Sequence, residues 1–230
     1  MLWQPAPDNL QVEGGGLALC ASLDLSADRV GQLTRLLSTD EKVRAGRFHL
    51  ERDRDRFIAG RGQLREILGR LLGVGGEQIV FSNGLFGKPR MAGLKGCSLR
   101  FNLAHSGPLV VYAIDSQHEV GVDVEQIRPL REAAEIAARY FSATELGSWR
   151  DASPERQMED FFLIWTRKEA YLKAIGRGLD GLMSQIEAIA PLLNEVAGFE
   201  QWSLQTLTPA AAYVGTLATK NPAGVSCWSW

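Results

Sequence analysis

Leu37-Ser38-Thr39-Asp40-Glu41 recurs 104 residues further on as Phe141-Ser142-Ala143-Thr144-Glu145. Both stretches place a serine after an apolar residue and a glutamate three positions past the serine. That is a helix start, in which the hydroxyl accepts an orphan amide and the glutamate reaches back to the amide of the serine. Two further echoes keep the order. Asp55-Arg56-Phe57 is matched by Asp160-Phe161-Phe162 at an offset of 105, and Val111-Tyr112-Ala113 by Ala212-Tyr213-Val214 late in each half. A shared order at a shared offset points to an α+β protein of two similar α/β halves meeting near residue 116. The expected division is residues 1–115 and 116–230, with the ligand site in the cleft between them.

Working outward, residues 17–25 read as a strand and Arg56 to Leu72 as a helix that ends at Gly73. Residues 78–81, 99–103, 109–114 and 120–124 read as strands, 130–140 and 159–175 as helices, and 211–218 as a final strand. The 230 residues hold 25 Lys and Arg against 27 Asp and Glu, with 45% hydrophobic and 23% charged residues. Those fractions exclude a disordered tail or a collagen-like fibre, and the near-neutral balance argues against a bulk nucleic-acid binder. Three cysteines, Cys20, Cys97 and Cys227, form no CxxC pair and are odd in number, so neither a zinc knuckle nor a disulfide framework is expected. The start, Met1-Leu2-Trp3-Gln4-Pro5, lacks the basic and apolar runs of a signal peptide. No apolar stretch reaches the ~20 residues that span a bilayer. A cytoplasmic monomer without nucleic-acid or membrane partners is the expectation.

Gly121-Val122-Asp123-Val124-Glu125 sets Asp123 and Glu125 two apart on a strand, hence on one face. Two carboxylates on an otherwise apolar strand are costly unless a cation neutralises them, and hard oxygens suit Mg²⁺; solvated acids at a strand end are the alternative. Trp165-Thr166-Arg167-Lys168-Glu169-Ala170-Tyr171-Leu172-Lys173 sets Glu169 and Lys173 at i, i+4 on one helix face. Read alone, that pair is equally a surface ion pair beside a core tryptophan. Three carboxylates and a lysine together fit metal-assisted transfer at a phosphate.

Bases cluster in the first half, from Lys42, Arg44 and Arg47 to Arg56, interleaved with acids. They read either as a solvated face or as arginines that recognise phosphate. Gly84-Leu85-Phe86-Gly87-Lys88-Pro89 lacks the spacing of an ATPase phosphate loop and has proline where a metal-binding hydroxyl belongs. A glycine-flanked turn whose amides and Lys88 meet a phosphate stays open. Phe101-Asn102-Leu103-Ala104-His105-Ser106-Gly107 puts His105 at a strand end, a natural donor to a phosphate. His49 and His118 read as surface residues.

Three separated motifs, Asn102-Leu103-Ala104-His105-Ser106, Gly121 to Glu125 and Trp165 to Lys173, occur in an order that resembles the 4′-phosphopantetheinyl transferases of the large surfactin-synthetase type. The resemblance implies that family's fold, two similar α/β halves related by a pseudo-two-fold with the active site between them. It also implies transfer of the phosphopantetheine arm of coenzyme A to a serine of an apo acyl or peptidyl carrier protein, with release of 3′,5′-ADP. It implies Asp123, Glu125 and Glu169 as Mg²⁺ ligands, Glu169 as the base, and Asp123 and Lys173 beside it in catalysis. Arg44, Arg56, Lys88, Asn102, His105, Asp123, Glu169 and Lys173 would meet coenzyme A. Ala104 departs from the serine found in many members, at a cost of about 1 kcal/mol for one hydrogen bond. A Mg²⁺-dependent nuclease and a non-catalytic coenzyme A-binding module are the competing readings. Residues 180–210 suggest no chemistry, and Trp202, Trp228 and Trp230 read as packing residues.

Overall fold

A computed structural model describes residues 3–12, 15–84, 88–93, 98–178, 183–188, 192–193, 202–220 and 225–230. In chain order the elements are β1 (Gln4–Pro5), β2 (Gly16–Ser22), α1 (Ala27–Leu36), α2 (Thr39–Ala45), α3 (Glu51–Leu72), β3 (Val80–Asn83), β4 (Pro89–Ala92), β5 (Arg100–Ser106) and β6 (Leu109–Asp115). They continue as β7 (Val120–Gln126), α4 (Ala133–Tyr140), α5 (Ala143–Asp151), α6 (Pro154–Ile175), β8 (Leu192–Leu193), β9 (Trp202–Leu207), β10 (Tyr213–Thr219) and β11 (Val225–Ser229). Cys97 and Gly87 lie outside the described residues.

Both expected capping boxes form. Ser38 Oγ accepts the Glu41 amide at 3.3 Å while Glu41 Oε2 accepts the Ser38 amide at 2.9 Å; the Ser142–Glu145 pair shows 3.1 and 2.8 Å. The two long helices, α3 and α6, are 22 residues each and stop on left-handed glycines, Gly73 at φ 66° and Gly176 at φ 70°. Both begin five residues before the apolar spacing predicts. Neither start has a side-chain cap: the Glu51–Arg54 pair at 2.9 Å supports the extra first turn of α3, and Pro154, whose fixed φ suits a first helical position, supports that of α6.

Strands run β1-β11-β2-β6-β5 in one sheet and β7-β10-β9-β8 in the other, with β3-β4 a separate hairpin. The repeat is visible in the bounds. β2 at 16–22 and β7 at 120–126 differ by 104, as do β6 at 109–115 and β10 at 213–219. Thus Val111-Tyr112-Ala113 and Ala212-Tyr213-Val214 fall at equivalent strands but out of register. The structural mate of Tyr112 is Thr216.

Alternation along the strands builds four layers. α3 lays Ala59, Leu64, Ile67 and Leu68 on Leu19, Tyr112 and Ile114 of the first sheet. The reverse face of that sheet, with Ala18, Val111 and Ala113, packs on Val120, Val122, Val124 and Leu217 of the second. α6 then covers the far side of the second sheet with Ala170, Leu172 and Ala174. A Cβ at Gly121 would overlap the carbonyl oxygen of Ala170 and the amide nitrogen of Ala174, so the glycine lets α6 lie directly on β7. After β10 the chain crosses back, and β11 pairs parallel with β2, so residues 225–229 extend the first sheet.

Cys20 and Cys227 are buried, and burial pushes both thiols up to about 11. Trp202 is 4% exposed, and Trp228 and Trp230 pack against the first core. Among the described residues no helix is long and apolar enough to cross a membrane.

Candidate active site

Where β7 meets α6, alternation turns Asp123 and Glu125 toward the helix, and Glu169 and Lys173 face them one turn apart. Asp123 is 6% exposed; its Oδ1 accepts the Lys173 amine at 2.7 Å, and its Oδ2 is buried with no partner. Glu169 Oε1 is likewise buried without a partner. Burial raises the Asp123 carboxyl to about 7; Lys173 opposes the shift, while Glu169 and Glu125 add to it. Burial also raises Glu169, against a downward pull from Lys173 and with an upward push from Glu125. Folding has thus brought carboxylates together at a cost to their charged forms, as functional sites do.

Glu125 is engaged by other partners. Its Oε2 accepts Ser106 Oγ at 2.7 Å and lies 3.7 Å from Arg128. Among the described residues, no three acidic, histidine or cysteine side chains form a ready cage for a metal ion. The donor chemistry nevertheless fits a hard divalent cation in part: buried oxygens of Asp123 and Glu169 lack any hydrogen-bond partner, and a third carboxylate, Glu125, shares the strand of Asp123.

The cations occupy the first half. A cleft of about 440 Å³ is lined by Arg44, Arg56, Arg61, Phe57, His105 and Gly107 among others. Arg56 is held from the side by Asp24, Nε to Oδ1 at 2.6 Å and Nη2 to Oδ2 at 2.9 Å, which leaves Nη1 outside that fork. Arg44 lies over the Phe57 ring at 5.1 Å. His105 stands at the end of β5. The protein packed round it lowers its pKa, as do Lys173 and Arg56, and Glu125 opposes them. His105 lines the cleft, and its imidazole is affected by Lys173 and Glu125 as well as by Arg56.

Two expected contacts have other partners. Lys88 is 8% exposed, and its amine donates to Glu119 Oε2 at 2.7 Å and to the carbonyls of Val120 at 3.0 Å and Ala174 at 3.2 Å. Those bonds use all three donors of the ammonium, tie β4 to β7 and α6, and leave Lys88 away from the cleft lining. Asn102 accepts the Val122 amide at 2.9 Å and so joins the two sheets across the molecular seam. Trp165 packs against Phe161 and Tyr140.

Sequence reasoning missed Arg61, Asp24 and Ser106. Arg61 carried a signal: with Arg65 it makes an i, i+4 pair of like charges, which calls for a carboxylate from another element. Glu41 is that carboxylate, 3.3 Å from Arg61 and 2.7 Å from Arg65. Asp24 and Ser106 meet their partners only through tertiary contact.

A profile described as the 4′-phosphopantetheinyl transferase superfamily matches residues 119–222, and one for the N-terminal part of 4′-phosphopantetheinyl transferases matches residues 25–117. The chain is 37% identical over 221 residues to the 4′-phosphopantetheinyl transferase HetI of Nostoc sp., covering 94% of this chain and 92% of that one. It is 31% identical over 155 residues to the 4′-phosphopantetheinyl transferase Sfp of Bacillus subtilis (strain 168), 67% of each chain. With AcpT of Salmonella typhi it shares 36% over 154 residues, 67% of this chain and 73% of that one. The protein belongs to the 4′-phosphopantetheinyl transferase superfamily and has its α+β fold. It is an enzyme of that class, a 4′-phosphopantetheinyl transferase.

Proposed function

We propose that the enzyme is of the surfactin-synthetase-activating type and moves the 4′-phosphopantetheine arm of coenzyme A to a serine of an apo acyl or peptidyl carrier protein. The observation that carries this reading is the pair of buried, unpartnered oxygens on Asp123 and Glu169, beside Lys173 and next to a cleft of arginines. A pyrophosphate needs both halves of that arrangement: cations for its charge, and carboxylates for a metal and for a proton.

In the proposed reaction the carrier serine Oγ bonds to the β-phosphorus of coenzyme A, and the bond from that phosphorus to the bridging oxygen breaks. The bond's electron pair leaves on 3′,5′-ADP. Glu169 takes the serine proton, a role suited to a carboxyl whose pKa burial has raised. Lys173 meets the pyrophosphate and offsets charge on the departing oxygen, exchanging its hold on Asp123 for the substrate. Arg44, Arg56 and His105 hold the phosphates of the coenzyme, His105 donating through a ring N–H. Asp123 and Glu169 would hold Mg²⁺, joined by Glu125 once it lets go of Ser106. When bound, the ion supplies Lewis-acid polarisation of the phosphoryl oxygens. The cytoplasm is the proposed compartment and a monomer the proposed working state.

Mixing the purified enzyme with coenzyme A, Mg²⁺ and a panel of apo carriers should add the mass of the arm to a carrier. No gain on any acyl or peptidyl carrier overturns the reading. Asp123→Ala and Glu169→Ala should each lower kcat by about a hundred-fold or more, as loss of a group acting in the transition state does. Near-native turnover in either variant means that the carboxylates serve another purpose.

A further inference from the structure

Helix α2 has seven residues and buries only Ala45. So short a helix does not persist alone in water, so its place comes from tertiary contacts. Those contacts converge on Glu41. Its side chain is 12% exposed, and beyond capping Ser38 it binds two arginines of α3, Arg65 Nε at 2.7 Å and Arg61 Nε at 3.3 Å. Arg65 is 2% exposed, and its Nη1 donates to the carbonyls of Gly76 at 3.0 Å and Ile79 at 2.7 Å. The carboxylate thus rivets the first turn of α2 to the middle of α3, at a point that cannot move without exposing a buried guanidinium.

Arg44 stands one turn further along α2, with its guanidinium over Phe57 and reaching the cleft. On a helix with one buried residue, the seating of the helix aims an exposed arginine. We propose that Glu41 is a positioning residue for coenzyme A: by gripping Arg61 and Arg65 it seats α2 and holds Arg44 at the phosphate cleft. The inference rests on the reading of that cleft given above.

The second half shows the same device in a different setting. Glu145 caps Ser142 and pairs with Lys168 at 2.6 Å, both side chains 0% exposed. Lys168 donates to the carbonyls of Met183 at 2.7 Å and Ile186 at 2.6 Å. There, however, α5 is also anchored by buried Trp149. Only in the first half does the capping carboxylate carry most of the seating.

Calorimetric titration with coenzyme A, alongside carrier kinetics, tests this. Glu41→Gln should weaken coenzyme A binding about ten-fold, one charge-assisted contact's worth, with kcat within about two-fold of wild type. Arg44→Ala should weaken it at least as much. The double variant should add less than the full Glu41→Gln effect to that of Arg44→Ala, because Glu41 acts mainly through Arg44 and the remainder passes through Arg61, which also lines the cleft. Arg65→Lys keeps the buried charge and copies the second half, so it reports even if Glu41→Gln unfolds; it should weaken binding about three-fold by losing the fixed fork of the guanidinium. Effects that multiply in the double variant, or native affinity in folded Glu41→Gln and Arg65→Lys, overturn the inference while the cleft stands. If Arg44→Ala itself binds coenzyme A normally, the reading of the cleft falls, and the inference falls with it.

Discussion

Helices α3 and α6 are twins in everything that packs and opposites in what they present to the site. Each has 22 residues, stops on a left-handed glycine and carries a buried cation that clasps a capping glutamate. Each covers the outer face of one sheet. Yet α3 offers Arg56 and Arg61 to the cleft, and α6 offers Glu169 and Lys173 to Asp123. The difference teaches that packing and capping define the repeat, whereas charge on the face toward the seam is free to diverge. The proposed reaction on pyrophosphate would use that divergence, one half attracting phosphate and the other a metal and a proton.

The sharpest way to break the twinship is at the clasps. Lys168→Met leaves Glu145 charged and sealed from water, which should cost about 3–5 kcal/mol of stability in urea unfolding. Adding Glu145→Gln should restore most of that loss, because no charge is then left buried. A loss below about 1 kcal/mol in the single variant would show that water reaches Glu145 and that the two clasps are not alike.

A smaller effect is expected at Gly121. A methyl there overlaps the backbone of α6, so Gly121→Ala should destabilise by about 1–3 kcal/mol and lower kcat as Glu169 and Lys173 move off Asp123. Stability and kcat both unchanged would mean that the strand-to-helix distance does not set the site.

The mildest test is the burial of Asp123 in metal-free protein. Its folded pKa of about 7 stands above the ordinary value of 3.8. Between those values the folded state holds more protons than the unfolded one, so stability falls as pH rises through that window. Asp123→Asn removes the ionisation. Its melting temperature should exceed that of wild type at pH 8, and the gap should narrow steadily toward pH 4. A gap that does not vary with pH would point to the lost Lys173 contact rather than to burial.

Much of this was legible from local pattern. Ser38-Thr-Asp-Glu41 and Ser142-Ala-Thr-Glu145 announced helix starts because a capping box lies within four residues. Asp123 and Glu125 shared a face because strands alternate, and Glu169 and Lys173 did because helices turn every 3.6 residues. The partners of those side chains were not legible. Nothing near Lys88 in the chain foretells that its amine is consumed by Glu119, Val120 and Ala174, and nothing near Glu125 foretells Ser106. Arg56 finds Asp24, 32 residues away, for the same reason.

The amino-acid sequence by itself determined the doubled α/β plan, the helix starts and stops, and which residues share a face, because each depends on neighbours within about a turn of chain. Tertiary structure alone decided which charges remain available. A buried ion takes whichever partner folding brings within about 3 Å, and that choice is made by strand pairing and layer packing. It engaged Lys88 and Glu125 with other partners, and left one oxygen each on Asp123 and Glu169 without a partner.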